Sequence, residues 1–497
     1  MSNNSQYDPM LVKLVTEAMA HQSSGNPGGA LIAYKRIQRQ FPDFVDAWIN
    51  ASVVLFDMGR FEEALDMAQR ALELRPENPH AHCAMANAHN GLGHIDIAKA
   101  HFHKTIEYDP ANFPALTNLA GIYARQGDFA KALELDGLAI EAQPSHAVLW
   151  GNRGHTRMRA LDIAGAEADL KQALKLDENN ALARWNLAYV QLLGRRYQEA
   201  WPNFKARLQL AEWSGNRRDF GKPHWNGESL NGRALLVYTE QGYGDTLQFA
   251  RFIPRLRRFG GRVILSIYDP LKRLLADLPG VEKIIIEGEP LPDFDLVIPL
   301  MELPAILSAD ESDLTPLPPP AIPDRSLLPE LDRPGFKVGL AWAGNPTHTN
   351  DALRSVGPRF LDALADTPGI AWYSLQVPPI LDPPKLPGLI DLSRYIGDFM
   401  DTAQIGGQLD LIVTVDTSMA HLAGFLELPA IVLLAYLPDW RWGLDDERTP
   451  WYPSLKLLRQ PAHDDWRSVI CLLREKILEL EVIAKPPEND ARQRDNP

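Results

Sequence analysis

Three stretches of this sequence place chemically capable side chains directly after short apolar runs. In the first, "ALLV" gives way to "YTEQGYGDTLQFARF", where Gly242 and Gly244 open a turn and Asp245 stands at the mouth of the helix that follows. In the second, "AWAGNPTHTNDALRSVGP", a long polar loop passes Asn345 and ends in Arg354 and Ser355. In the third, "VTVDTSMAHLAG", Asp416, Thr417 and Ser418 precede a helix carrying His421. A helix start with hydroxyls and free backbone N–H groups is a natural seat for phosphate, and the planar fork of Arg354 suits the compensating charge. Each motif also has a plain structural use. Asp416, Thr417, Ser418 or Asp245 would cap a helix, Arg354 would be a solvated surface charge, and His421 a hydrogen-bonded core histidine. Their succession at strand ends favours chemistry over capping. A dinucleotide site is disfavoured, because Leu247 stands where the fingerprint needs its third glycine.

The elements that must position these motifs begin with a helical repeat. Ala30, Ala64, Ala98, Ala132, Ala166 and Ala200 follow one another at intervals of 34 residues, and so do Pro42, Pro76, Pro110 and Pro144. Gly25, Gly59, Gly93 and Gly127 keep the same period, as does a column of small residues at Ala18, Ser52, Ala86, Ala120, Gly154 and Ala188. Small residues let two antiparallel helices touch, the glycine makes the turn between them, and the proline ends the second helix. This pattern is that of the tetratricopeptide repeat, and it assigns residues 11–214 to an α-solenoid of about six units. The last two units lack the glycine and Glu178 replaces the proline, which predicts drift toward a capping role. Trp48, Tyr123, Phe129 and Trp150 are read as helix core, and the concave face as the surface that takes an extended peptide or partner protein.

Past Trp213 the pattern becomes α/β. "ALLVY", "RVILSIY", "KIIIE" and "FDLVIP" alternate with helix-length segments over residues 219–310. A proline-rich linker is expected over 311–334, and "KVGLAWAG", "IAWYSLQ", "LIVTVDTS" and "AIVLLAY" mark a second half at 335–480 before a flexible tail at 486–497. Strands separated by helices imply parallel sheets, and two such halves leave a cleft between their strand ends.

Composition narrows the function. A net charge of −14 argues against a general nucleic-acid or anionic-membrane binder. Two cysteines, Cys83 and Cys471, cannot build a disulfide framework and favour a reducing compartment. Runs such as "AIVLLAYL" are far shorter than the ~20 residues of a membrane helix, and the start "MSNNSQYDPMLVK" lacks signal architecture. A cytoplasmic protein with no integral membrane segment is expected.

With these residues in place, "QGYGDTLQFARFIPRL" followed by "VTVDTSMAHLAG" resembles the glycosyltransferases of the heptosyltransferase superfamily, which have the two-Rossmann GT-B fold. Gly244-Asp245 matches their Gly-Asp loop, and Asp416, Thr417 and His421 match their Asp-Thr-x-x-x-His segment. "ALRSVGP" resembles the lysine-bearing donor loop of O-linked N-acetylglucosamine transferases, with Arg354 in the basic position; that family also joins tetratricopeptide repeats to a GT-B domain. The resemblance implies a metal-independent glycosyltransferase with no resident cofactor and a nucleotide-sugar as co-substrate. Its diphosphate would lie among Thr417, Ser418, Arg354 and Arg441, and Asp245 would serve as the base. Gly242 and Gly244 would admit the acceptor, and Trp440 and Trp442 would flank a base or sugar. Asp293-x-Asp295, a metal motif in another glycosyltransferase fold, starts an apolar strand here and is read as structural. The short first half leaves acceptor binding to the repeats, which would select a protein such as a flagellin-like polypeptide. Two rival readings are a non-catalytic scaffold with a degenerate sugar-nucleotide-binding domain, and transfer to a lipid-linked glycan.

Overall fold

The structure, a computed structural model, describes residues 8–210, 218–314, 320, 331–348, 350–444 and 447–484. Most of the expected linker and the whole expected tail lie outside the described residues. The chain divides into two compact units, Met1–Ala183 and Arg184–Pro497, a boundary ahead of residue 214 and inside the eleventh helix.

Twelve α-helices precede the first strand among the described residues. They run in pairs: α1 (Pro9–Ser23) with α2 (Pro27–Gln40), α3 (Val45–Asp57) with α4 (Phe61–Leu74), α5 (Pro79–Gly91) with α6 (Ile95–Tyr108), α7 (Phe113–Arg125) with α8 (Phe129–Ala142), α9 (Ala147–Arg159) with α10 (Ile163–Leu176), and α11 (Ala181–Leu193) with α12 (Tyr197–Phe204). The alanine column from Ala30 to Ala200 is fully buried, because a larger side chain would hold paired helices apart. Each first helix ends in the same way. In the second repeat the Gly59 N–H donates to Phe56 and the Arg60 N–H to Leu55, with Gly59 in the left-handed region at φ 72°. This double closure satisfies carbonyls that the helix end would otherwise orphan. Where the glycine column lapses the geometry persists, with Leu161 at φ 63° and Arg195 at φ 57°. A Cβ on Gly59 would meet nothing within 4 Å, so only its backbone conformation would be strained. Gly59→Ala should therefore destabilise the chain by about 1–2 kcal/mol, read as a lower urea midpoint at unchanged slope.

The second unit holds two parallel sheets. The first comprises β1 (Ala234–Tyr238), β2 (Arg262–Ile267), β3 (Lys283–Ile286) and β4 (Leu296–Pro299), in the order β3-β2-β1-β4. The second comprises β5 (Phe336–Ala341), β6 (Ile370–Ser374), β7 (Ile390–Asp391), β8 (Leu411–Val415), β9 (Ala430–Leu434) and β10 (Leu455–Arg459), in the order β10-β9-β8-β5-β6-β7. That six-strand order is the doubly wound one, and the first sheet contains its first four strands. Leu340 lies opposite Ser374 on one side and Val413 on the other, so β5 is central. β1, β8 and β9 are buried along their whole length, as strands covered on both faces must be.

The last repeat helix belongs to the second unit and does not present a polar cap. α12 buries Tyr197, Trp201 and Phe204. Trp201 and Phe204 stand edge-on to Trp440 at 6.2 and 6.1 Å, Phe204 stacks on Phe249 at 6.4 Å, and Trp440 meets Trp451 at 5.5 Å. The Trp201 indole N–H donates to the Ala309 carbonyl at 2.7 Å, which leaves that deeply buried donor satisfied.

Candidate functional site

Both sheets reverse strand order once, and the sequence motifs fall at those reversals. In the first sheet the chain leaves β1 toward β2 and β3, then returns on the other side as β4. The loops after β1 and β4 diverge there and carry Glu240, Asp245 and Glu302. In the second sheet β6 and β7 lie on one side of β5 and β8 to β10 on the other. The diverging loops carry Asn345, Arg354 and Ser355 after β5, and Asp416, Thr417 and Ser418 after β8. Crevices of this kind at the carboxyl ends of strands are where open α/β sheets bind ligands.

Two helices join the crevices. α13 (Tyr243–Phe249) follows β1, and α15 (Ser418–Phe425) follows β8, with α14 (Phe399–Gly406) lying between them in the chain. A Cβ built on Gly244 would lie 2.4 Å from Cδ2 of His421. The expectation that Gly244 admits an acceptor is thus corrected: its missing side chain makes room for the His421 ring, and any larger residue would wedge α13 off α15. Gly242 is the N-cap of α13 and faces only Asp245. His421 is buried, with Nδ1 2.9 Å from the Tyr452 hydroxyl and its ring 5.5 Å from Trp442. Burial, reinforced by Arg441, Arg251 and Arg354, holds its pKa well below the usual histidine value, so it stays neutral.

Arg441 is the hub of the charged cluster. Its guanidinium donates through Nη2 to Asp245, through Nε to Gln248, and through Nη1 to Asp439 at 2.8 Å, and it lies over the Trp440 ring at 4.4 Å. Every guanidinium nitrogen has a protein partner, so in this conformation Arg441 joins the two sheets instead of offering a free fork to phosphate. Burial raises the Asp245 pKa above the ordinary carboxylate value; Arg441 opposes that rise, Asp439 adds to it, and the Gly242 backbone and His348 favour the charged form. Asp416 is pushed up to about 6, by burial first and by Asp439 second, against Arg354, Trp442 and Arg441.

The loop after β5 is braced from within. The Ser355 hydroxyl accepts the Gly344 N–H at 3.0 Å and donates to Asp351 at 3.0 Å, and Asn345 accepts both the N–H and the hydroxyl of Thr347 at 3.1 and 2.9 Å. Ser355 and Asn345 therefore hold the loop's shape. Arg354 differs: its buried Nε has no hydrogen-bond acceptor among the described residues, and Asp351 stands 3.5 Å away. A buried donor without an acceptor carries a desolvation penalty that an incoming anion would relieve. Thr417 does cap α15, accepting the Met419 N–H at 3.3 Å, and Ser418 follows it half-buried at the first helical position.

Several other residues depart from the sequence expectations. Trp440 and Trp442 are buried at 3% and 0% exposure and belong to the aromatic core, so neither flanks a base or sugar. Asp295 accepts the Ala234 N–H at 2.8 Å, which pins β4 beside β1 as a structural residue should. Glu240 was passed over although it stands within "YTEQGYGD"; it forms a wholly buried ion pair with Arg207, on the chain just beyond α12. Gln248 was legible as the residue three beyond Asp245 on one helix face. Arg251, buried at 4%, donates to the Trp451 carbonyl at 2.9 Å and lies over the Tyr452 ring at 4.9 Å; no local signal in the sequence points to it.

A family model described as tetratricopeptide repeat matches residues 15–79, 83–147 and 152–206. These segments are tetratricopeptide repeats. Protein FlbA of Caulobacter vibrioides is 24% identical over 501 residues, covering 90% of this chain and 81% of FlbA. The human protein O-mannosyl-transferase TMTC1 is 23% identical over 203 residues, covering 40% of this chain and 23% of TMTC1. Bovine BBSome complex member BBS4 is 27% identical over 152 residues, covering 31% of this chain and 29% of BBS4. The chain thus spans most of FlbA and less than a third of the other two. Among solved structures, the APC/C hetero-tetramer Cut9–Hcn1 aligns with a TM-score of 0.38 and 18% identity over 41% of this chain and 40% of that one. YrrB, described as a tetratricopeptide repeat protein with an unusual peptide-binding site, aligns with a TM-score of 0.28 and 21% identity over 35% and 89%. No helix among the described residues is long and apolar enough to cross a membrane.

Proposed function

We propose that the second unit transfers a sugar from a nucleotide-sugar to a hydroxyl acceptor, its two sheets acting as the halves of a GT-B enzyme. The observation that carries this reading is the meeting of the two strand-order reversals through α13 and α15. One reversal supplies a carboxylate, Asp245, and the other a guanidinium with an unsatisfied N–H, Arg354, beside the hydroxyl-bearing start of α15. The donor would lie on the second sheet with its diphosphate toward Arg354, Thr417 and Ser418. Those groups would stabilise the charge that grows on the departing diphosphate, while Asp245 takes the proton of the acceptor hydroxyl. The tetratricopeptide repeats would bind the acceptor, a protein segment; the name of the human relative, a protein O-mannosyl-transferase, supports an acceptor of that class.

One observation favours a second reading, a binding domain without catalysis: Asp245 is held by Arg441, and Asp245, Asp416 and Asp439 together outnumber Arg441 and Arg354. The donor site itself is tested by Arg354→Ala. Loss of a charge-assisted hydrogen bond should weaken nucleotide-sugar affinity by about 1.5–3 kcal/mol, measured by calorimetry against a panel of nucleotide-sugars. Unchanged affinity in a folded variant would remove Arg354 from the site. If no member of the panel binds the wild-type chain, the glycosyltransferase reading itself falls.

A further inference from the structure

Six of the 13 histidines lie between His80 and His103, in the third repeat and far in sequence from the candidate transferase site. Four of them form a row across α5 and α6. The Nδ1 atoms of His82 and His101 are 2.9 Å apart, the rings of His101 and His89 stack at 6.0 Å, and the Nδ1 atoms of His89 and His94 are 3.2 Å apart. His82 is buried and His101 and His89 half-buried, while His80 and His103 point outward beside the row.

We propose that His82 and His101 form a two-histidine clamp for a divalent transition metal of the nickel, copper and zinc group. Imidazole nitrogens bind such ions at about 2.0–2.1 Å, which sets two ligands at right angles about 2.9 Å apart and two tetrahedral ligands about 3.3 Å apart. The His82–His101 spacing matches the first of these values without movement of either helix. The tautomers also fit. Nε2 of His82 lies 2.9 Å from the Pro76 carbonyl, so the proton belongs on Nε2 and the Nδ1 lone pair faces His101. A ligating histidine commonly donates its other N–H to a backbone carbonyl in this way.

Without metal, the Nδ1–H of His101 fills the gap. Metal entry requires that proton to leave Nδ1 and solvent to return one to Nε2, so each ring stays neutral and no net proton is released. Burial, with His82, His89 and Lys104 nearby, pushes the His101 pKa down to about 4, which keeps its lone pairs available at neutral pH. Asp96 and Lys104 flank His101 in a shallow depression on α6, one attracting and one repelling a cation. Among the described residues no three His, Cys, Asp or Glu groups converge as a metal centre. The clamp therefore supplies two protein ligands, and water fills the remaining positions. Bound metal would tie the start of α5 to the middle of α6.

The test is calorimetric titration of the full chain with nickel or zinc chloride at neutral pH, paired with electron paramagnetic resonance of the copper(II) form. Wild-type protein should bind one ion, and the copper spectrum should show two nitrogen ligands. His82→Gln and His101→Gln should each lower affinity by about tenfold or more, since even outer-sphere changes have effects of that size. His80→Gln and His103→Gln should leave affinity unchanged. Metal should also raise the melting temperature of wild type and not of His101→Gln, whose half-buried position makes it the safer variant if His82→Gln fails to fold. Absence of binding by wild type overturns the proposal. So does an equal loss in the His80 and His103 variants, or full affinity in His101→Gln.

Discussion

Asp245→Asn should reduce sugar transfer by about 10²–10⁴ while leaving nucleotide-sugar affinity close to wild type, because it removes a base and keeps the shape of the side chain. The site makes this variant unusually informative. Asp245 lies about one-fifth exposed, its carboxylate on Arg441, and burial sets its pKa above the ordinary carboxylate value. As the base, it must be ionised, so wild-type turnover should fall as pH drops through that raised pKa. The asparagine variant should lose this acidic limb along with most of its rate. Two outcomes separate the readings of the domain. Wild-type turnover in Asp245→Asn assigns the base elsewhere, and donor binding with no transfer in wild type supports a sugar-nucleotide-binding scaffold.

Arg207→Ala should be the most damaging change outside the site, costing about 3–5 kcal/mol of stability. Arg207 and Glu240 have side chains 0% and 1% exposed, so each neutralises the other where water cannot. Arg207 also donates to the Phe204 carbonyl at 2.9 Å and lies over the Phe204 ring at 4.5 Å. Removing it strands a buried carboxylate whose pKa is already raised, by burial above all, with Arg207 opposing the rise. The variant's native state would then hold a proton that the unfolded chain releases near the ordinary glutamate value of about 4.3. Stability should accordingly fall as pH rises above that value, and the deficit against wild type should be smallest in acid. Denaturant titrations across pH measure this directly. Arg207→Met combined with Glu240→Gln should recover most of the loss, because no uncompensated charge remains. If the double variant is no better than the single one, packing against Phe204 and not charge is what Arg207 supplies.

The legible parts of this fold are those fixed by local pattern. The 34-residue columns reappear as buried alanines and left-handed turns, and apolar runs such as "ALLVY", "LIVTV" and "AIVLL" are central strands. β10 escaped notice because its sequence, "LKLLR", interrupts the apolar run with charge, as an edge strand can. Tertiary context decided the rest. Trp201 and Phe204 look the same in sequence whether they pack within a repeat or against a sheet, and they do the second. A glycine announces that a side chain is unwelcome but not what replaces it, so nothing around Gly244 revealed the ring of His421. Asp245, Arg354 and Asp416 could be picked out by type and position. The partners of Arg441 could not, because Asp245 and Gln248 reach it from nearly two hundred residues away.

The two sheets are fastened by charge at two depths, and this bears on how ionic strength acts on them. Within, Arg441 reaches Asp245 with its side chain only 9% exposed. At the rim, Arg273 pairs with Asp398 and Asp401 at 2.9 Å with its side chain 51% exposed, beside the contact of Tyr243 with Phe399. Counter-ions screen charges in contact with solvent and barely reach buried ones. Added salt should therefore loosen the Arg273 edge while the Arg441 contact stays shut, so that the halves part like a book held at its spine.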